Sequence, residues 1–423
     1  MTQTIRGFSL SWWEIVCILV ITVAFWYPSP QRDQWYFLLA LLLPFYIGRA
    51  IFFRRLWTRT PLDLWLLAFL ALGMLNVFFA PYTRGIGMLG RVVLGMATIV
   101  AFVEYARAHR KLDGLLALTI WLSLLIGVMA VGSTQWTTKT RQMYFITNYL
   151  PVIENFWAAE TGFNPNEIAG ALAWLVPCVG AIAIYRWRAK LPYGDSGAIA
   201  ALLMAFALFL GQSRAAIIGV LFALVMVIFL LIRNRRWRIT ALAAVGAVTL
   251  LEVLIIANVF SNSNQARSSL ERDESSFTMR GEIMSSGFAM VRDYPLTGVG
   301  MAMYRDGRVR ERYPVPTYGT RILPHAHNEL LQVATDMGIP GLLVFIGWHV
   351  VAGYMILVIY RRSPPQAGGQ GRVIAIAVAG GLIAHTVFGL ADAVTLWDRF
   401  GFVFWWLLAL LSAQYTLTRI ESE

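Results

Sequence analysis

Residues 214–232 read RAAIIGVLFALVMVIFLLI, and the basic segment RNRRWR follows at 233–238. An α-helix needs about 20 apolar residues to cross the hydrocarbon core of a bilayer, which is roughly 30 Å thick. We therefore predict a transmembrane helix that begins at a turn carrying Arg214 on one side of the membrane. It ends in an arginine cluster on the other side.

The same pattern recurs along the whole chain of 423 residues, of which 58% are hydrophobic and 14% charged. A soluble domain usually carries about 25% charged residues. A backbone exposed to lipid must satisfy its own hydrogen bonds, so we predict an all-α polytopic membrane protein. About twelve spans are expected, at 12–28, 34–52, 62–80, 86–106, 113–132, 167–186, 197–212, 214–232, 239–260, 339–360, 372–391 and 398–419.

Basic residues concentrate in alternate loops, and this explains the net charge of +12 without a nucleic-acid partner. Cytoplasmic loops carry an excess of Lys and Arg, so both termini are expected in the cytoplasm. Cys17 and Cys178 lie within predicted spans and indicate neither a disulfide framework nor a metal site. The basic loops are 49–61, 107–111, 186–196, 233–238 and 361–372.

Two longer segments fall on the external, periplasmic side. The first nine spans occupy 1–260 and enclose a loop at about 132–166, whose aromatic residues suit either a sugar or the membrane interface. The largest loop, 261–338, is expected to carry short helices and the reactive residues, and the last three spans occupy 339–423. The basic residues of the loop at 261–338 are all arginines, Arg312 and Arg321 among them. Arginine suits bidentate binding of phosphate, although a solvated loop with surface ion pairs is the alternative.

Two arginines are candidate anion ligands. Arg214 follows Ser213, which is expected to cap the helix, and a helix N-terminus favours an anion. Snorkelling to lipid headgroups is the alternative for Arg214. Arg280 lies within the apolar stripe of a predicted helix at 277–292, so it needs a buried carboxylate or an anionic ligand as its partner.

The segment 324–331, PHAHNELL, places two histidines before a predicted short helix that ends at Gly338. A neutral imidazole can accept a proton from a sugar hydroxyl. His327, His325 and Asn328 are therefore candidates for the catalytic or substrate-binding site. The HxH spacing could also serve a metal, but no third ligand stands at a recognisable spacing, so no metal is expected.

Three further residues are assigned to substrate binding. Asn164 and Asn166 flank Pro165 at the external start of a span, where Asn166 could instead only cap the helix. Asp392, at the external end of another span, either pairs with a cation of the site or is a surface acid.

Taken in order, these motifs resemble the superfamily of O-antigen ligases (WaaL) and O-antigen polymerases (Wzy). The resemblance covers most of the chain and is strongest from about Asn164 to Phe345. The motifs are NPN at 164–166, QSR at 212–214, MRG at 279–281, DYPLTGVG at 293–300, HAHN at 325–328 and GIPGL at 338–342.

The resemblance implies an inverting GT-C type glycosyltransferase of lipopolysaccharide biosynthesis that needs no metal or other cofactor. It implies a glycan donor on undecaprenyl diphosphate and, for a ligase, a lipid A–core sugar as acceptor. By position, Arg214 and Arg280 match the family's diphosphate-binding arginines. His327, which precedes Asn328, matches its base or acceptor-orienting histidine.

Three other functions remain open at this point. A polymerase uses the same donor with a growing glycan as acceptor, and a protein O-oligosaccharyltransferase uses it with a protein acceptor. A transporter or flippase would place ionisable residues near the middle of the membrane. The few deep charges, Glu14, Glu104 and Glu252, form no evident series.

Overall fold

The described part of the computed structural model is a bundle of α-helices with helical external segments. It comprises residues 2–26, 32–82, 86–136, 143–155, 161–232, 234–244, 246–247, 250, 279–320, 323–364 and 369–421. The all-α prediction is confirmed within these ranges, where the only β pairings are two isolated bridges.

The helices are labelled in chain order. They are α1 (Thr2–Phe25), α2 (Leu43–Phe53), α3 (Asp63–Phe79), α4 (Ile86–His109), α5 (Asp113–Ser133), α6 (Tyr144–Thr147), α7 (Pro165–Arg188), α8 (Gly194–Gly211), α9 (Arg214–Leu231), α10 (279–293), α11 (Gly307–Arg312), α12 (Glu329–Arg362), α13 (Gln370–Gly389) and α14 (Gly401–Ile420). Two 3₁₀ helices, Arg32–Leu42 and Met303–Arg305, and a helix at 235–244 complete the set.

Among the described residues, nine helices are long and apolar enough to cross a membrane, and two shorter apolar helices accompany them. These eleven correspond to eleven of the predicted spans. The predicted span at 239–260 lies largely outside the described residues. The chain is therefore a multi-pass membrane protein.

The centre of the bundle is formed by α7, α13 and α14, whose side chains are mostly buried. Glycines let neighbouring backbones approach closely, as is usual for helices packed in a membrane. A Cβ added at Gly219 of α9 would lie 2.3 Å from the carbonyl oxygen of Ala384 in α13. One added at Gly381 of α13 would lie 2.4 Å from the carbonyl oxygen of Trp174 in α7. α7 and α9 thus each pack with their backbone directly against the backbone of α13.

α12 is broken at Gly338, as its position before Pro340 predicts. Gly338 has φ +69° and ψ −175°, a conformation that suits glycine. The break leaves backbone groups without helical partners, and the segment before α11 supplies new ones. Val299 N donates to Thr335 O (2.7 Å), and Ile339 N donates to Pro295 O (2.7 Å).

A polar side chain from α3 completes this joint. The amide of Asn76, which is buried, donates to Thr297 O (2.7 Å) and to Asp336 O (2.9 Å). Its oxygen accepts from Met301 N (3.0 Å). The external segment after α10 is thereby fixed to the first part of α12, immediately below the two histidines.

Candidate functional site

Asp392 lies between the two histidines of the HAHN segment. Its Oδ1 atom is 3.2 Å from His327 Nδ1 and 3.4 Å from His325 Nε2, and its side chain is almost completely buried. Ala393 N also donates to Oδ1 (3.0 Å). Burial alone would raise the pKa of Asp392, but the two histidines and this hydrogen bond hold that pKa below its ordinary value. Asp392 is therefore an ionised carboxylate that accepts from His327 Nδ1 and lies within 3.4 Å of His325 Nε2.

The hydrogen bonds distinguish the two histidines. His327 N donates to His325 Nδ1 (3.3 Å), so Nδ1 of His325 is an acceptor and its proton is on Nε2, facing Asp392. Burial lowers the pKa of His325 to about 4, which keeps this ring neutral. His327 donates to Asp392 through Nδ1, and its Nε2 has no partner among the described residues. Only His327 thus retains a free lone pair with which to accept a proton.

The backbone around His327 is held in an uncommon conformation. His327 has φ +52°, in the left-handed region that histidine adopts more readily than most residues. Asn328 then begins α12: its Oδ1 accepts from Leu331 N (2.9 Å). Its amide donates to Leu390 O (3.1 Å), so the same side chain joins α12 to the loop that carries Asp392.

A buried pair lies directly beneath the HAHN segment. His385 Nε2 is 2.6 Å from Glu329 Oε2, and His385 Nδ1 is 3.0 Å from Gly170 O. A carbonyl only accepts, so Nδ1 carries a proton, and a second proton lies between Nε2 and the carboxylate. The ring of Trp174 stacks on His385 at 3.4 Å. Neither Glu329 nor His385 was predicted to belong to the site, and this pair fixes the first turn of α12 to α7 and α13.

Two ion pairs position the loop at 390–400. Arg305 Nη2 is 2.6 Å from Asp398 Oδ1, and Arg399 Nε is 2.8 Å from Glu167 Oε1. All four side chains are partly exposed. They join the loop to the external segment on one side and to the first turn of α7 on the other, around Asp392.

Arg214 is the first residue of α9 and is exposed. α9 runs antiparallel to α13, because Gly219 lies against Ala384 while Val227 lies against Gly380. The five residues that separate Arg214 from Gly219 rise about 7.5 Å along a helix. Arg214 is therefore level with the end of α13, where the loop with Asp392 begins. Ser213 is the N-cap residue, as expected, but its side chain makes no capping hydrogen bond.

Arg280 is half-buried in the first turn of α10, and no described carboxylate forms an ion pair with it. α10 runs beside the first part of α12 in the same direction. Gly287 of α10 lies against Leu331, and Val299, which follows α10 in the chain, donates its backbone N–H to Thr335 O, further along α12. Arg280 precedes Gly287 by about two turns, which places it beyond the start of α12 on the side of the two histidines.

The remaining predicted residues are less closely joined to the histidines. Asn164, and not Asn166, caps α7: its side chain accepts from the backbone N of Asn166 (2.8 Å), because Pro165 occupies the first helical position. The expectation that Asn166 caps this helix is wrong. Arg312 is exposed and lies over the rings of Tyr294 and Tyr313. Arg321 lies outside the described residues.

The histidines and Asp392 could also hold a metal ion. One ligand atom from each of His325, His327 and Asp392 lies within 4.8 Å of the others. Asp392, which follows His327 by 65 positions, thus provides a third possible metal ligand that the spacing of residues in the sequence did not reveal. Hydrogen bonds between these atoms and coordination of a metal are both compatible with the geometry, and they predict different responses to a chelator.

Comparison with known proteins shows which family the chain is similar to. The model of the O-antigen ligase family matches residues 199–346, a range that includes Arg214, Arg280 and the HAHN segment. The chain is also similar to the teichuronic acid biosynthesis protein TuaE of Bacillus subtilis. The two are 22% identical over 361 residues, which span 82% of this chain and 70% of TuaE.

Proposed function

Because the chain belongs to the superfamily of O-antigen ligases and polymerases, we propose that it transfers a glycan from undecaprenyl diphosphate to a sugar hydroxyl at the His327 site. Members of this family are glycosyltransferases that use a polyprenyl-linked glycan donor in the membrane and build cell-surface polysaccharide. The observation that carries the proposal is the free Nε2 of His327, whose other nitrogen is held by Asp392 at 3.2 Å.

In the proposed reaction the acceptor oxygen attacks C1 of the donor's first sugar and inverts its configuration. The acceptor loses its proton to His327 Nε2, and Asp392 stabilises the imidazolium that forms. The bond between C1 and the diphosphate oxygen breaks, so negative charge develops on the leaving diphosphate. Arg214 and Arg280 are the residues we assign to that charge, since fixed guanidinium groups can stabilise it without a metal.

We propose the periplasmic face of the bacterial inner membrane as the location of this site. The ends of α4, α7 and α12 farthest from His327 carry Arg107, Arg186, Arg188, Arg361 and Arg362. Lys and Arg are enriched on cytoplasmic ends, so this asymmetry supports cytoplasmic termini and a periplasmic His327.

A ligase would transfer the whole glycan to a lipid A–core sugar. The second candidate is a polymerase, which would transfer the glycan to another lipid-linked glycan. The similarity to a teichuronic acid biosynthesis protein over 82% of the chain favours this candidate. Both use the same donor and the same chemistry. The protein O-oligosaccharyltransferase and transporter alternatives have no comparable observation in their favour.

The test is transfer from a defined undecaprenyl-diphosphate glycan, with lipid A–core and a second lipid-linked glycan offered as separate acceptors. We expect product with one acceptor, and loss of transfer in Arg214→Ala and Arg280→Ala. Lys at either position should restore it only in part, because an ammonium lacks the planar fork of arginine. Arg292→Ala is the matched control, since Arg292 is 81% exposed on α10. Full activity of Arg280→Ala would remove α10 from the site.

A further inference from the structure

A cavity of about 770 Å³ lies at the opposite end of the bundle from His327. α4 connects the two ends: Arg91 near its start donates to Trp397 O (2.7 Å) beside the candidate site, and Arg110 just beyond its end lines the cavity. Nineteen helical residues rise about 28 Å, so this cavity is separate from the site described above. The charged residues of its lining are Arg49, Arg54, Arg55, Glu104, Arg107 and Arg110.

Glu104 of the lining and Glu14, which accepts from the lining residue Arg49, are already paired. Glu14 accepts from both Nη atoms of Arg49, at 2.5 and 2.9 Å. Glu104 accepts from Arg55 Nη2 (2.7 Å) and from both the backbone N and the hydroxyl of Thr58 (2.7 Å each). Among the described residues, neither carboxylate forms an ion pair with a further arginine.

Three arginines of the lining remain uncompensated. Arg54, Arg107 and Arg110 are exposed, and no described carboxylate forms an ion pair with any of them. The contact of Arg107 is a hydrogen bond to the neutral hydroxyl of Thr58 (3.3 Å). Arg54 and Arg110 each adopt the left-handed conformation, with φ +52° and +55°, at the ends of α2 and α4. Three positive charges therefore line one concave surface, and an anionic ligand bound there would neutralise them in place of protein carboxylates.

The same cavity has an apolar rim. Ile51 and Phe52 of α2 belong to its lining, and they are 67% and 47% exposed. An exposed apolar rim beside a basic pocket fits a ligand with an anionic head and a hydrocarbon chain, whereas a soluble phosphate would use only the arginines. Basic pockets between transmembrane helices are a recurrent binding site for anionic lipid headgroups.

We propose that Arg54, Arg107 and Arg110 bind the phosphate of an anionic phospholipid, whose acyl chains lie along Ile51 and Phe52. The chemistry recognised is a headgroup of net negative charge, a phosphodiester with no ammonium group beside it, held by guanidinium groups. The proposal does not depend on the reaction at His327, because it rests on a separate cavity and concerns binding alone.

The test is lipid binding to the delipidated, full-length protein, measured by native mass spectrometry. Dioleoyl phosphatidylglycerol is titrated against the wild type, with dioleoyl phosphatidylethanolamine as the lipid of equal chain length and no net charge. The pocket variant combines Arg54→Asn, Arg107→Gln and Arg110→Asn, since asparagine tolerates the left-handed backbone at the two cap positions. The control variant combines Arg188→Gln, Arg235→Gln and Arg236→Gln, three exposed arginines at the same end of the bundle.

We expect preferential binding of phosphatidylglycerol by the wild type. Each basic residue near an anionic lipid contributes about a five-fold factor, so the pocket variant should bind roughly a hundred-fold more weakly. The control variant should stay within a few-fold of the wild type. If the pocket variant does not fold, as judged by its thermal unfolding, Arg107→Gln alone should weaken binding about five-fold.

Three results would overturn the proposal. Equal binding of the two lipids by the wild type would show that the charge of the headgroup does not contribute to binding. An equal loss in the pocket and control variants would assign the effect to total charge. Saturable binding of inorganic phosphate or glycerol 3-phosphate at this cavity, without any preference among lipids, would assign it to a soluble phosphate and exclude the lipid.

Discussion

Replacing Asp392 by Asn tests the proposed role of the histidine–aspartate pair. The change keeps the size of the side chain and removes its charge, in a position where only 3% of the side chain is exposed. The bond from His327 Nδ1 to a carboxylate strengthens as the imidazole gains the acceptor's proton. A hydrogen bond to a charged group contributes about 1.5–3 kcal/mol, so its weakening should lower the rate about 10- to 150-fold.

The loss should appear mainly in kcat, because the charge of Asp392 matters most when His327 becomes protonated. The assay is glycan transfer in proteoliposomes from a defined undecaprenyl-diphosphate donor, with donor binding measured separately. Asp306→Asn is the matched control: Asp306 caps α11 by accepting from Arg308 N (3.1 Å), and Asn caps helices as well as Asp does. Transfer by Asp392→Asn within two-fold of the wild type, or an equal loss in the control, would refute the role that we assign to this carboxylate.

Further predictions concern the base, the helix break and the topology. His327→Ala should retain about 1% of the transfer activity or less, since a general base contributes about 10²–10⁴-fold. Chelators should leave transfer by the wild type unaffected. Loss of transfer in a chelator would instead indicate that His325, His327 and Asp392 bind a metal ion. Because burial lowers the pKa of His325 to about 4, this ring should stay neutral above pH 5, so its protonation should cause no loss of transfer above that pH in a pH profile of the wild type. Gly338→Ala should lower the unfolding temperature, because a Cβ at φ +69° would lie 2.6 Å from Leu296 C, and an unchanged melting curve would contradict this. Cysteines at Arg235 and Arg308 should react with impermeant reagents from opposite sides of the membrane, and labelling of both from outside would exclude the proposed topology.

The helices were largely predictable from the sequence, because each follows from a local run of apolar residues. Eleven of the predicted spans coincide with apolar helices of the described residues. The break at Gly338 was also predictable, since glycine followed by Ile339 and Pro340 is a local signal. By contrast, the choice between Asn164 and Asn166 as the cap depends on a shift of two residues in the start of the helix, which apolar periodicity does not determine.

The contacts of the candidate site were not predictable in the same way. Asp392 is 65 residues from His327, so its pairing with both histidines depends on how α12 and α13 pack. The difference between His325 and His327 depends on a hydrogen bond from the backbone of one to the ring of the other. Asn76 is 260 residues from Asp336, whose carbonyl it bonds, and nothing in the sequence near α3 marks it as a partner. Such long-range partners emerge only once the chain is folded.

The break in α12 also separates two mechanical parts of the protein. An unbroken helix of 34 residues would act as a rigid rod, and any change in its tilt would displace its first turn in proportion to its length. Membrane helices do change their tilt with bilayer thickness. Here the part before Gly338 is fastened to residues 295–299 and to Asn76, while the part after it crosses the membrane. We therefore expect a change in the tilt of the membrane part to be taken up at Gly338, so that it displaces the first turn of α12 less than it would in an unbroken helix.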